Sequence, residues 1–170
     1  MMNDSNAIME PARETPVIET ADVCVIGGSC TGVFAAVRAA RLGARVVLIE
    51  KTNAYGGVAT NGLVHVWHSR FDTEYKTPII GGLTIEVVDR LRPRGVLIEK
   101  ERNPSSQFIF NSEELKIELD ALVREAGIIP YLHTAFCSPV LKDGRIDAII
   151  VENKDGRGAV RASVFIDASR

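Results

Sequence analysis

The run Gly27-Gly28-Ser29-Cys30-Thr31-Gly32, set between a short apolar segment and an alanine-rich one, constrains the fold of this chain more than any other feature. Three glycines in six residues suit neither a strand interior nor a helix interior, but they suit a tight turn from strand to helix. Upstream, Asp22 to Gly27 is a short apolar run ending in glycine, which predicts a strand buried on both faces. Downstream, Gly32 to Leu42 sets Val33, Phe34, Val37 and Leu42 among alanines. That pattern predicts a helix packed closely on a sheet, with Gly43 ending it where a left-handed residue is wanted. Arg45 to Glu50 predicts a second buried strand. Together these make a β-α-β unit of about thirty residues, expected to cross over right-handed into a parallel sheet.

A turn of this kind has a chemical use. Bare backbone and the first amides of a helix can meet a diphosphate, and the helix start adds about half a positive charge. Gly27 is expected to make the turn and Gly32 to let helix and strand approach. Ser29 stands at the middle position of the G-x-G-x-x-G pattern, where glycine is usual. Its hydroxyl is expected to donate to a phosphate oxygen, with adjacent Gly28 keeping the turn flexible. Glu50 falls at the end of the second strand, eighteen residues after Gly32, where a carboxylate can accept both hydroxyls of an adenosine ribose. The plain alternative is a surface acid at a strand end. An acid in that place also disfavours a 2′-phosphate, and so argues against NADP.

The rest of the chain departs from a simple alternation of strands and helices. Thr52 to Gly62 is rich in Gly, Asn and Thr and reads as a loop, and Leu63 to Thr77 carries Trp67 with no clear period. Gly81-Gly82 precedes a helix bearing Leu83, Val87, Val88 and Leu91, which stops at Arg92-Pro93. Asn111, with Glu114 three residues on, predicts a capping box for a stronger helix lined by Leu115, Leu119, Leu122, Val123 and Ala126 and ended by Gly127. Ile128 to His133 reads as a strand that Pro130 restricts to an edge or bulge. Phe136 to Leu141 and Arg145 to Val151 flank Lys142-Asp143-Gly144 as a hairpin. Asn153 to Gly158 is a further turn, followed by Ala159 to Ser163 and Val164 to Ala168.

This order resembles the FAD-dependent oxidoreductase family, within the glutathione-reductase-like superfamily of proteins with two dinucleotide-binding domains. The resemblance is carried by Asp22 to Lys51, Gly56 to Gly62, Gly81-Gly82, Asn111 to Gly127 and Asp143 to Ser169. It implies an α/β fold: a Rossmann-like FAD/NAD(P)-binding domain with a parallel sheet and an added β-hairpin or meander. It implies FAD as cofactor and transfer of hydride or electrons between flavin and an unidentified small-molecule substrate. By position, Gly27, Gly28, Ser29, Thr31 and Gly32 would wrap the diphosphate and Glu50 would bind the ribose. Lys51 would lie near the adenine or ribose edge. Gly56, Gly57, Ala59 and Thr60 would pass beside the ribityl chain and flavin, and Phe136, next to Ala135, would meet the adenine. Ala168 and Ser169 stand where such proteins carry Ala-Thr-Gly, with Arg170 in place of the glycine. Because members continue into a substrate domain, the chain reads as the N-terminal portion of a longer enzyme. Residues 1–20 would be a flexible leader with a short strand near Val17 and Ile18, and 21–170 the FAD-binding domain, with an inserted segment over about 63–110.

Several readings compete at the remaining positions. The formal net charge of −2 provides no basic field for nucleic acid or anionic membrane. Residues 1–20 lack the basic-then-apolar order of a secretory signal. Three cysteines with no CxxC pair fit a reducing cytoplasm, and Cys24 and Cys137 are expected to be small buried hydrophobes. Cys30 lies at the positive end of a helix, which can lower a thiol pKa, although a small residue tolerated in a tight loop is the preferred reading. His65 and His68 would need two further ligands to hold a metal, and none is suggested. No catalytic acid or base is legible. A nicotinamide-only dehydrogenase and a non-catalytic nucleotide-binding module stand as the alternatives to a flavoenzyme.

Overall fold

The structure, a computed structural model, describes residues 8–99 and 108–169. The first seven residues of the leader, residues 100–107 of the inserted segment and Arg170 lie outside the described residues.

The polypeptide is built on a six-stranded sheet of order β6-β2-β1-β9-β8-β7. Its centre is β1 (Val17–Ile26), flanked by β2 (Val46–Ile49) and β9 (Gly156–Asp167), both parallel to it. β6 (Ile129–Tyr131) adds a further parallel strand beyond β2. β7 (Ala135–Lys142) and β8 (Arg145–Asn153) run antiparallel to each other, and β8 runs antiparallel to β9. The expected parallel sheet with an added meander is therefore the observed architecture. Pro130 sits in β6 at the sheet edge, where a missing ladder donor costs nothing. Ala159 to Ser163 and Val164 to Ala168 do not form two strands; they belong to the single long β9. β9 serves two neighbours, because Gly156 to Arg161 pair with β8 while Ala159 to Asp167 follow β1.

β1 begins at Val17, within the stretch read as leader, because Val17 pairs with Ala159 and the Pro16 carbonyl accepts the Ala159 N–H at 2.8 Å. Three helices cover one face of the sheet: α1 (Cys30–Arg41), α2 (Leu83–Leu91) and α3 (Ser112–Glu125). Val33 and Val37 of α1, Val87 and Leu91 of α2, and Leu115, Leu119 and Leu122 of α3 close on Val25 and Leu48 of the sheet. The other face is held by Cys24, Ile26, Val47 and Ile49 against Ile149, Val151 and Val160. Asn111 caps α3 by accepting from the Glu113 and Glu114 amides. The reciprocal arm of the expected capping box is not made: the Asn111 N–H donates to Val96 O instead, and Glu114 turns to Arg94.

The segment after β2 contributes a separate three-stranded antiparallel sheet, order β3-β5-β4, from Val66–Trp67, Phe108–Phe110 and Leu97–Glu99. Trp67 packs against Phe110 with ring centroids 4.7 Å apart and the ring planes tilted by 57°. Cys137 corrects an expectation. It is exposed, because β7 is an edge strand with solvent on both faces, whereas Cys24 in the central strand is fully buried. Among the described residues no helix is long and apolar enough to cross a membrane.

Candidate functional site

The turn from β1 into α1 is held by main-chain approach. Gly27 has φ +98°, and a Cβ there would strike the Ala168 carbonyl at the end of β9. A Cβ on Gly32 would collide with the Gly27 carbonyl, so the first turn of α1 can sit this close to β1 only with glycine at both places. Gly27 N donates to Ile49 O at 2.7 Å, and Ala168 N donates to Ile26 O at 2.7 Å. The carboxyl ends of β2, β1 and β9 are thereby gathered around the start of the helix.

Glu50 is the buried charge of this site, 7 % exposed. Its Oε2 accepts from Gly28 N at 2.6 Å, and its Oε1 accepts from Thr52 N and Thr52 Oγ1, both at 2.7 Å. Burying a carboxylate is costly unless hydrogen bonds meet it, and three short ones do so here. The connection from β6 to β7 is clamped alongside, with Thr134 N donating to Glu50 O and His133 N to Thr52 O, each at 2.9 Å.

Two adjoining cavities flank the turn, of about 590 Å³ and about 650 Å³. Both are walled by Ser29, Val58, Ala168 and Ser169, which form the waist between them. The smaller contains Gly27, Glu50, Lys51, Gly57 and Phe136. The larger contains Thr31, Gly56 and Ala59 beside Cys30, Val64, Val66 and Trp67. A single groove thus presents an acid at one end, the helix start in the middle and an apolar, aromatic wall at the other.

Most of the residues singled out by sequence come together along this groove, and three stand behind its wall. Gly28 is buried under Glu50, Gly32 lies inside the helix turn, and Thr60 is fully buried with its hydroxyl donating to Tyr55 O at 2.6 Å. Thr60 therefore shapes the loop from within and does not line either cavity. Ser29 is engaged with the protein: its Oγ accepts from Gly32 N at 3.3 Å as the α1 cap and donates to Ala168 O at 3.4 Å. In the ligand-free chain the hydroxyl proton is thus directed to the Ala168 carbonyl. Among the described residues nothing accepts the N–H of Thr31, the second helical position and a residue that lines the larger cavity.

Burial pushes the Cys30 thiol up to about 11, and its Sγ lies 3.6 Å from Gly56 O. Desolvation is the larger cause, ahead of a backbone hydrogen bond that lowers it. Asp167 is held below the usual carboxylate range by the Ser169 hydroxyl and then its N–H, which is 3.0 Å from Oδ1. Sequence reasoning passed over Thr52, Val58, Asn61 and Thr134, all of which line the smaller cavity. Their one common signal was membership of, or proximity to, the Gly/Asn/Thr-rich loop and the β6–β7 connection.

Comparison with known proteins agrees with this geometry. A family described as FAD dependent oxidoreductase matches residues 22–170. The digeranylgeranylglycerophospholipid reductase of Thermoplasma volcanium is 26 % identical over 157 residues, covering 89 % of this chain and 39 % of that protein. The mitochondrial dihydrolipoyl dehydrogenase of Schizosaccharomyces pombe is 24 % identical over 106 residues, 56 % of this chain and 20 % of its own. In fold, a geranylgeranyl bacteriochlorophyll reductase-like protein from Thermoplasma acidophilum superposes with a TM-score of 0.62 at 19 % identity, over 89 % of this chain and 39 % of the other. The chain spans well under half the length of these relatives.

Proposed function

The chain belongs to the FAD-dependent oxidoreductase family, and from that we propose that its groove binds FAD non-covalently as the FAD-binding portion of an oxidoreductase. The observation that carries this reading is the order of chemistries along one continuous surface: Glu50, then the start of α1, then Val58, Val64, Val66 and Trp67. That order matches the order of chemical groups in the dinucleotide, from ribose through diphosphate to a flat apolar ring. Glu50 would accept from the ribose on its remaining acceptor site, with Lys51 and Phe136 at the adenine edge. Gly27, Ser29 and the free Thr31 N–H would face the diphosphate, the last with the helix dipole behind it. Gly28 and Gly32 serve the same segment from behind by allowing its backbone to close. Gly56, Gly57 and Ala59 would border the ribityl chain and ring, Thr60 would set their conformation, and Ala168 and Ser169 would close the waist.

Bound FAD supplies hydride and electron transfer, and the protein supplies position, electrostatics and exclusion of water. The substrate is proposed only as a small molecule reaching the apolar end, with further protein beyond this portion completing its site. The segment after β2 favours a flavin reading over a nicotinamide one. There Gly56 N is bonded to Gly28 O at 2.8 Å, which folds a loop across the helix start where a simple nicotinamide fold would run straight into its next helix. Residues from Val17 onward are read as this one domain, with 63–110 as an insertion beside the ring end, and a reducing cytoplasm suits its three free thiols. The test is spectroscopic. Purified protein titrated with FAD should quench and shift flavin fluorescence with saturable stoichiometry; a response to NAD but none to FAD would reject the reading.

A further inference from the structure

The Glu50 carboxylate does not stand alone, and its support comes from the loop on the far side of the groove. Thr52 Oγ1 has one proton and two acceptors in reach, Glu50 Oε1 at 2.7 Å and Ala54 O at 3.0 Å. The shorter, charged acceptor takes it. Asn61 Nδ2 donates to the same Thr52 oxygen at 3.1 Å, occupying one of its lone pairs. Asn61 comes directly after Thr60, whose buried hydroxyl pins the loop by donating to Tyr55 O. A continuous set of hydrogen bonds therefore runs from the loop beside the ring end of the groove to the acid at its ribose end. Thr52 and Asn61 also both border the smaller cavity.

We infer that Thr52 and Asn61 are positioning residues for the nucleotide: through Asn61–Thr52–Glu50 they fix the carboxylate in the single orientation that accepts a ribose and fasten the Gly56–Thr60 loop to the adenosine end. This rests on the proposed FAD reading. A carboxylate has about four acceptor sites, and three are taken by Gly28 N, Thr52 N and Thr52 Oγ1, so the remaining acceptor capacity is directed at the cavity. Removing the Thr52 hydroxyl leaves one backbone donor on each carboxylate oxygen, Gly28 N and Thr52 N, but takes the second donor from Oε1, so the carboxylate is held less tightly and the ribose loses part of its preorganised partner. Removing the Asn61 amide loosens the loop while sparing the Thr52–Glu50 bond, so its effect is the smaller.

The test compares T52V, T52S and N61A with the parent chain by equilibrium titration with three probes: FAD, ADP and FMN. T52V is expected to weaken FAD and ADP about ten-fold, the loss of one hydrogen bond to a charged group, and N61A about three-fold. T52S should restore parent affinity, and FMN, which has no adenosine, should bind all four proteins alike. In the ligand-free chain, amide hydrogen exchange over residues 52–62 should be faster in N61A than in the parent. Parent-like affinity of T52V and N61A for FAD and ADP would overturn the inference while leaving the proposed function intact. So would a loss on FMN equal to that on FAD. A parent chain that binds neither FAD nor ADP would instead remove the proposed function, and the inference with it.

Discussion

Glu50 is a buried charge and, in the proposed site, a ligand partner, two roles that pull against each other, and three donors meet the charge within the chain itself. E50Q keeps the shape but turns an acceptor into a donor that faces Gly28 N–H or the Thr52 donors. Its expected effect is at least about a ten-fold loss of FAD affinity, read by fluorescence titration beside an unfolding curve showing the fold retained. Gly32 poses a different constraint, one of space. G32A would press a methyl onto the Gly27 carbonyl, and the expected outcome is a chain that yields little soluble protein or melts far below the parent by circular dichroism. Gly27, Gly32 and Glu50 were legible in the sequence because each answers a backbone or charge requirement tied to fixed spacing. The direction of the Ser29 hydroxyl was not, since it depends on Ala168, far along the chain. Thr52 and Asn61 escaped notice for the same reason, as a loop's hydrogen bonds depend on its conformation and carry no period.

The helices owe their places first to apolar burial. Leu115, Leu119 and Leu122 are fully buried in α3, each contributing about 2 kcal/mol of transfer free energy, against less than about 1 kcal/mol for an ordinary surface ion pair. The ion pairs between helices nevertheless form a connected set: Arg41 of α1 meets Glu86 of α2, Glu86 meets Arg90, and Arg90 reaches Glu125 of α3. Glu86 is held down to about 2 from its ordinary 4.5, first by the Arg41 hydrogen bond and then by Arg90. A depressed carboxyl stabilises the folded chain fully above about 4.5 and loses that contribution as pH falls to about 2. E86Q should therefore be less stable than the parent at pH 7, and the difference between the two denaturant curves should vanish near pH 2. A constant difference across that range would show that the network carries no charge-dependent stability. At this scale α1, α2 and α3 were readable from period and caps, while the two- and three-residue strands β3 and β4 were not. Those strands are too short to show alternation, and they form by pairing with β5.

On the scale of the molecule, the architecture arises from the β1–α1–β2 unit plus a meander that returns through β9 to lie against β1. The return was foreseen, but not as one strand, because the pairing partner changes along β9 while the sequence shows two short apolar runs. The chain covers 39 % of the reductase it matches in Thermoplasma volcanium, and the proposed function concerns the groove alone. Its most direct test is a crystal structure of the protein grown with FAD. The expected density has the adenosine ribose on the Glu50 carboxylate, the diphosphate at the Thr31 amide and the flavin ring along Val58 and Trp67. Flavin density lying elsewhere, or running in the opposite sense with its ring at Glu50, would contradict the proposed site.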